Sequence, residues 1–132
     1  MTTNKLKIAL PKGSLEEATA NAATPEVQLL VIGTPELAMM DNLAYQPGCG
    51  NWILHEDGDG PEVGRNNDLW ACPDDGADVD DRSDGCVRIA TLNDLNAEWT
   101  GGFFDATGKR FFVSVQHNVT GHGVVLEVTG WR

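Results

Sequence analysis

Two clusters of polar residues follow apolar stretches of this chain, and their side chains can bind metals or move protons. They are His-Glu-Asp at 55–57 and Gln-His-Asn at 116–118. The carboxylates, with Asn66 and Asn67 after them, offer hard oxygen ligands to calcium or another divalent cation. His117 could be a metal ligand, a phosphate donor or a general acid. The same positions suit ordinary turn and rim residues, so both interpretations stay open.

The two clusters occupy equivalent places in an internal repeat. Residues 41–70 and 100–126 each contain a short strand, a glycine turn, an apolar strand with aromatics, a polar cluster and a third strand. Repetition at a period of roughly 20–50 residues or slightly more is typical of stacked repeats or propeller blades. Strands are predicted near 27–32, 41–46, 51–56, 67–72, 86–91, 100–105, 110–116 and 123–129. Short strands separated by Gly, Asn and Asp predict a mainly β fold, as two four-stranded antiparallel, propeller-like blades.

A different element precedes the β part. Residues 5–10, KLKIAL, alternate as a strand should, and Ser14 with Glu17 forms a capping box at the start of a helix. Thr24-Pro25 ends that helix. We therefore expect a short β-turn-α leader within residues 1–24 and a β unit over residues 25–132.

The charge balance restricts the class of partner. Twenty acidic and nine basic side chains give a net charge of −11, which repels nucleic acid and anionic membranes but suits divalent cations. No stretch of about 18 apolar residues is present, and the N-terminus lacks the long apolar core of a signal peptide. The sequence predicts a soluble protein, cytoplasmic as the chain stands.

Several other chemistries find no support. Three cysteines without C-x-x-C spacing predict neither a zinc site nor a disulfide framework, so Cys72 and Cys86 are expected to be buried small hydrophobes. The acidic loop 73–85 is expected to be exposed. It is not predicted to be an EF-hand, because Arg82 and Ile89 occupy two positions at which an EF-hand needs calcium ligands. Ser14 has no triad partners, and no phosphate-binding glycine motif occurs. Glu98 is expected at the rim, and the core is assigned to Trp52, Trp70, Trp99, Phe111 and Phe112.

The β part resembles the C-terminal portion of PhoX-type phosphatases. The resemblance is carried by DNLAYQPGCGNWILHEDG, NNDLW, EWTGGFFDATGKRFFVSVQHN and GVVLEVTGW, in that order. It implies a β-propeller and calcium-dependent hydrolysis of phosphate esters, with iron also used in some members and the metals at the central opening. It also implies that Glu56 faces the metal, with Asp57 as a weaker candidate and Gln116 and His117 near the substrate. Members are several times longer, are exported and carry most of their metal ligands upstream of this region.

The leader resembles another family, and the function is left open between classes. NKLKIALPKGSLEEAT resembles the start of ATP phosphoribosyltransferase, so the chain looks like a fusion. We expect a PhoX-like phosphatase piece that is weakly active or inactive alone. One alternative is a non-catalytic module whose copies assemble, with three chains closing a six-bladed ring. Another is a calcium-dependent lactonase-like propeller, because DNLAYQPGCGNW also resembles that family.

Overall fold

The computed structural model describes residues 31–58, 60–73 and 85–131. Within these ranges the elements are β1 (Met40–Tyr45), β2 (Asn51–Glu56), α1 (Gly60–Val63), β3 (Asp68–Pro73), β4 (Val87–Thr91), β5 (Glu98–Phe104), β6 (Arg110–Gln116) and β7 (Val124–Thr129). Each strand lies where the sequence predicts one, and α1 is a single helical turn that was not predicted. The leader, residues 1–24, and most of the strand predicted at 27–32 lie outside the described residues; residues 31 and 32 are not in a strand.

The strands form two antiparallel sheets, which confirms the mainly β class. Sheet A has the order β1-β2-β3-β4, and sheet B has the order β5-β6-β7. The prediction of four strands in each sheet is met in sheet A only, since the described part of sheet B has three. No helix within these residues has the length and apolar character needed to cross a membrane.

The first hairpins of the two sheets have the same geometry, so the sequence repeat is also a structural repeat. Loops of equal length, 46–50 and 105–109, join the hairpin strands. An aromatic pair stands at the last cross-strand position before each loop: Tyr45 with Trp52, ring centroids 4.9 Å apart, and Phe104 with Phe111, 4.7 Å apart. A β-bulge interrupts the first strand of each hairpin.

Sheet A and sheet B pack front to back, which means that the face of sheet A in the contact is not the equivalent of the face that sheet B contributes. By the hairpin equivalence, Leu54 corresponds to Val113. Val113 belongs to the core between the sheets, whereas Leu54 lies in a separate cluster on the opposite face of sheet A. Neighbouring residues of a strand point to opposite faces, so Ile53 takes the place between the sheets. The buried residues of this inter-sheet core are Ala44, Ile53, Leu69, Ala97, Trp99, Phe111, Val113 and Val115.

A buried glutamine joins the two hairpin loops. Gln46 donates from Nε2 to the carbonyl of Gly108 at 2.9 Å, and its Oε1 accepts from Asn51 at 2.8 Å. Gly108 has a φ of 69°, and an added Cβ would collide with the Pro47 carbonyl, so glycine is required there. This contact holds the sheets together at one end.

Three of the five predicted core aromatics are fully confirmed. Trp70, Trp99 and Phe111 are buried. Trp52 and Phe112 are only partly buried, and Phe112 stacks with the exposed Phe103 on the outer face of sheet B.

The absence of a disulfide was predicted wrongly. Cys72 at the end of β3 is bonded to Cys86, which precedes β4, with their Cα atoms 4.2 Å apart. The antiparallel pairing of β3 with β4 brings the two ends of loop 73–85 together, and the spacing of the cysteines along the chain does not reveal this. The disulfide packs beside Leu54 and Trp70.

Reduction of this disulfide should destabilise the fold measurably. The cross-link closes a loop between residues 14 apart, so we expect its loss to lower the free energy of unfolding by about 3 kcal/mol. Urea denaturation of oxidised and reduced protein measures the difference, and peptide mapping without reductant verifies the Cys72–Cys86 link. Equal stabilities would contradict a structural role.

Candidate functional site

The two polar clusters lie at the same end of the molecule, opposite the hairpin loops. Strands β2 and β6 end at Glu56 and Gln116, and the antiparallel β5 begins there at Glu98. An open cavity of about 540 Å³ lies at this end, lined by Gly58, Gly60, Pro61, Leu95, Asn96, Glu98, His117, Asn118 and Gly121. Gly60 is indispensable to this wall, because an added Cβ would collide with the Leu95 carbonyl.

Asp57 lies near Glu98, which lines the cavity, and near Asp41; we call these three carboxylic residues the carboxylate trio. The pKa of Asp57 is raised to about 6, first by partial burial and then by its interactions with Glu98 and Asp41. Among the described residues, no Lys or Arg forms an ion pair with the trio.

Gln116 and His117 approach the trio through Glu98. Gln116 Nε2 donates to Glu98 Oε2 at 2.9 Å, and His117 Nε2 lies 3.6 Å from the same oxygen. The His117 side chain is 66% exposed, so its ring faces the open cavity. Its backbone has a φ of 54°, in the left-handed region that costs a non-glycine residue about 1–3 kcal/mol. Such strain is common at functional sites.

Glu56, the favoured metal candidate, is instead a buried hydrogen-bond acceptor. Arg65 donates Nη1 to Oε2 at 2.7 Å and Nη2 to Oε1 at 3.0 Å. The remaining donors are the backbone N–H groups of Ala38 and Asp68, at 2.8 and 2.9 Å, and Trp70 Nε1 at 3.3 Å. A cation would have to displace the guanidinium, so this geometry does not support a metal at Glu56.

His55 lies in the core. It is fully buried, its ring is 5.9 Å from that of Phe111, and Gly102 leaves the space that it fills. Neither ring nitrogen has a hydrogen-bond partner among the residues that the structure describes. Burial lowers the pKa of His55, and the Asn42 backbone, outside normal hydrogen-bond geometry, offsets this only in part. The imidazole is therefore neutral and takes no part in the cavity.

Asn67 positions the loop that follows Asp57. Its side chain accepts from the Gly58 N–H and donates to the Gly58 and Ala97 carbonyls, all near 3 Å. Its own carbonyl accepts from Trp99 Nε1 at 3.1 Å. These hydrogen bonds engage the side-chain amide of Asn67, which the sequence suggested as a cation ligand.

The structure thus brings Asp57, Gln116 and His117 together and separates Glu56 from them. Sequence reasoning missed Asp41 and placed Glu98 at the rim. Both lie at the beginning of the first strand of their repeat unit, a correspondence that could have identified them.

No three His, Cys, Asp or Glu side chains within the described ranges form a ready-made metal site. No family model, curated protein or solved structure matches the chain. The site must therefore be interpreted from its own chemistry.

Replacement of Glu56 should test its structural role. Because Glu56→Ala leaves the partly buried Arg65 and several buried donors without an acceptor, we expect a loss of about 3 kcal/mol in the free energy of unfolding. Glu127→Ala, which removes the exposed pair with Arg110, is the control and should cost less than about 1 kcal/mol. Urea denaturation measures both, and similar values would refute the assignment.

Asp57→Asn should stabilise the protein in a pH-dependent way. The folded-state pKa of Asp57 is raised from 3.8 to about 6, so its ionisation opposes folding above pH 6 and not below pH 3.8. The variant should be more stable than the parent above pH 6, and the difference should vanish as the pH falls towards 3.8. We expect a modest gain because Asp57 is only partly buried.

Thermal unfolding across this pH range measures the effect. Glu36→Gln removes an exposed carboxylate outside the trio and should show no such dependence. A constant difference between Asp57→Asn and the parent at every pH would contradict the raised pKa of Asp57.

Proposed function

We propose that the carboxylate trio binds a divalent cation, calcium foremost, and that the chain is a PhoX-like piece with little phosphatase activity of its own. The carrying observation is that Asp57 lies near Glu98 and Asp41, and that partial burial and these neighbours raise its pKa to about 6. Neighbouring carboxylates that have no Lys or Arg partner are neutralised by a proton or by a cation. Above this pKa the proton is lost, and cation binding relieves the repulsion.

The type of donor favours calcium. Asp41, Asp57 and Glu98 offer carboxylate oxygens, which calcium and other hard cations prefer to nitrogen or sulfur. Calcium takes about 6–8 oxygen ligands, so water must supply most of them and the affinity will be low. Iron, which the family resemblance also suggests, could gain a nitrogen ligand from His117, which lies 3.6 Å from Glu98.

The same residues would surround a phosphate ester that binds in the cavity. When bound, calcium supplies positive charge that offsets the charge of the phosphate. His117 presents its exposed ring to the cavity and can donate a hydrogen bond to a phosphate oxygen. Gln116 holds Glu98 in place. Rapid hydrolysis needs several preorganised groups around the phosphate, and this part of the chain provides few, so turnover should be low.

Calcium should raise the melting temperature at pH values above 6 and should lose this effect as the pH falls towards 3.8. The reason is that the cation binds the folded state beside ionised Asp57 and competes with the proton that the raised pKa of Asp57 retains. Thermal unfolding against calcium concentration at several pH values measures the shift. Asp57→Asn should reduce it strongly, whereas Glu36→Gln should retain it.

Two outcomes would overturn the proposal. One is the absence of any shift at millimolar calcium, and the other is an equal shift in the parent and Asp57→Asn. An assay with p-nitrophenyl phosphate, calcium and iron tests the proposal that the chain has little phosphatase activity of its own. Turnover at rates typical of complete phosphatases would contradict it.

A further inference from the structure

Strand β7 is an outer edge of sheet B. It pairs with β6 from Val115–Val124 to Arg110–Thr129 without an irregularity in register. The third strand of sheet A, β3, is covered on its outer side by β4. No strand within the described residues covers β7 in this way. A row of backbone hydrogen-bonding groups is thereby exposed.

The edge of β7 lacks the usual protection against pairing with another chain. Val124, Val125 and Leu126 are 42%, 70% and 41% exposed. The strand contains no Lys, no Pro and no bulge, which are the common blocking features. Its single charge, Glu127, is already paired with Arg110 on β6 at 2.7 Å. The outer strand of sheet A, in contrast, carries the basic Arg88.

We propose that β7 pairs antiparallel with β7 of a second copy of this chain, about a two-fold axis. The result is a continuous sheet of six strands, three from each copy. A symmetric contact needs a self-complementary strand, and VVLEVT meets this requirement because it is apolar apart from Thr129 and from Glu127, whose charge is paired with Arg110. At a net charge of −11, copies repel elsewhere, so a locally neutral edge is the favoured contact.

The outer face of sheet B extends the same surface. Phe103 and Phe112 stack there with ring centroids 5.2 Å apart, and Arg110 lies over Phe112 at 5.0 Å. Pairing of the two β7 strands continues this aromatic face from one copy to the next. The contact is separate from the carboxylate trio, so it does not depend on the proposed function.

Val125→Lys tests the contact, with Val87→Lys as the matched control. Both valines are exposed, at 70% and 62%, on outer strands of their sheets. A lysine on an edge strand blocks pairing with another chain. Sedimentation equilibrium should give twice the mass of one chain for the parent and for Val87→Lys, and the mass of a single chain for Val125→Lys. Far-ultraviolet circular dichroism establishes that each variant is folded.

A measurement on the unmodified protein gives a second test. Hydrogen exchange at the β7 amides should be slow in concentrated protein and should accelerate on dilution, because dissociation re-exposes the edge. A monomeric mass with β7 amides protected at all concentrations would overturn the proposal, since the edge would then be covered within one chain. A trimeric mass, or loss of the dimer in both variants, would overturn it as well.

Discussion

The ion pair between Glu56 and Arg65 is the interaction on which sheet A and the site beside it depend. The Glu56 carboxylate is fully buried, and a buried charge is tolerated only when it is paired and hydrogen-bonded. Its donors come from the segment before β1, the loop after α1 and the strand β3. Because the buried charge of Glu56 needs all of these donors, it requires the three segments to pack together around its carboxylate. Asp68 extends the network, since it pairs with Arg88 of β4 at 2.8 Å and lies 3.6 Å from Arg65.

This pair also explains why two adjacent carboxylic residues have different roles. Glu56 is the last residue of β2 and points into the network on the far face of sheet A, where Trp70 also donates to it. Asp57 follows the strand end and meets Glu98 and Asp41 instead. Arg65 neutralises the first carboxylate, whereas no Lys or Arg among the described residues forms an ion pair with the second, whose pKa is raised. Only the second is left available to a proton or a cation.

Hydrogen bonds join the two repeat units at both ends of the molecule. At one end Gln46 bonds to the Gly108 carbonyl and joins the equivalent hairpin loops. At the other end, Asn67 links the loop after β2 to the start of β5 through Ala97, which holds Asp57 near Glu98. Front-to-back packing fills the interior with Ile53 and Val113. The unit that comes second in the chain is left with an uncovered edge at β7 among the described strands.

By itself, the sequence determined the strands, the repeat and most of the buried aromatics, because residue alternation and glycine turns act over a few neighbouring residues. It also predicted a polar site at Asp57, Gln116 and His117, since polar residues that end apolar strands collect at the ends of sheets. Only the tertiary structure decided that Glu56 accepts hydrogen bonds from Arg65, that Glu98 and Asp41 lie near Asp57, and that Cys72 is bonded to Cys86. The physical reason is that ion pairs, carboxylate clusters and disulfides depend on which groups come within a few ångströms of one another, and strand pairing and sheet packing set those distances.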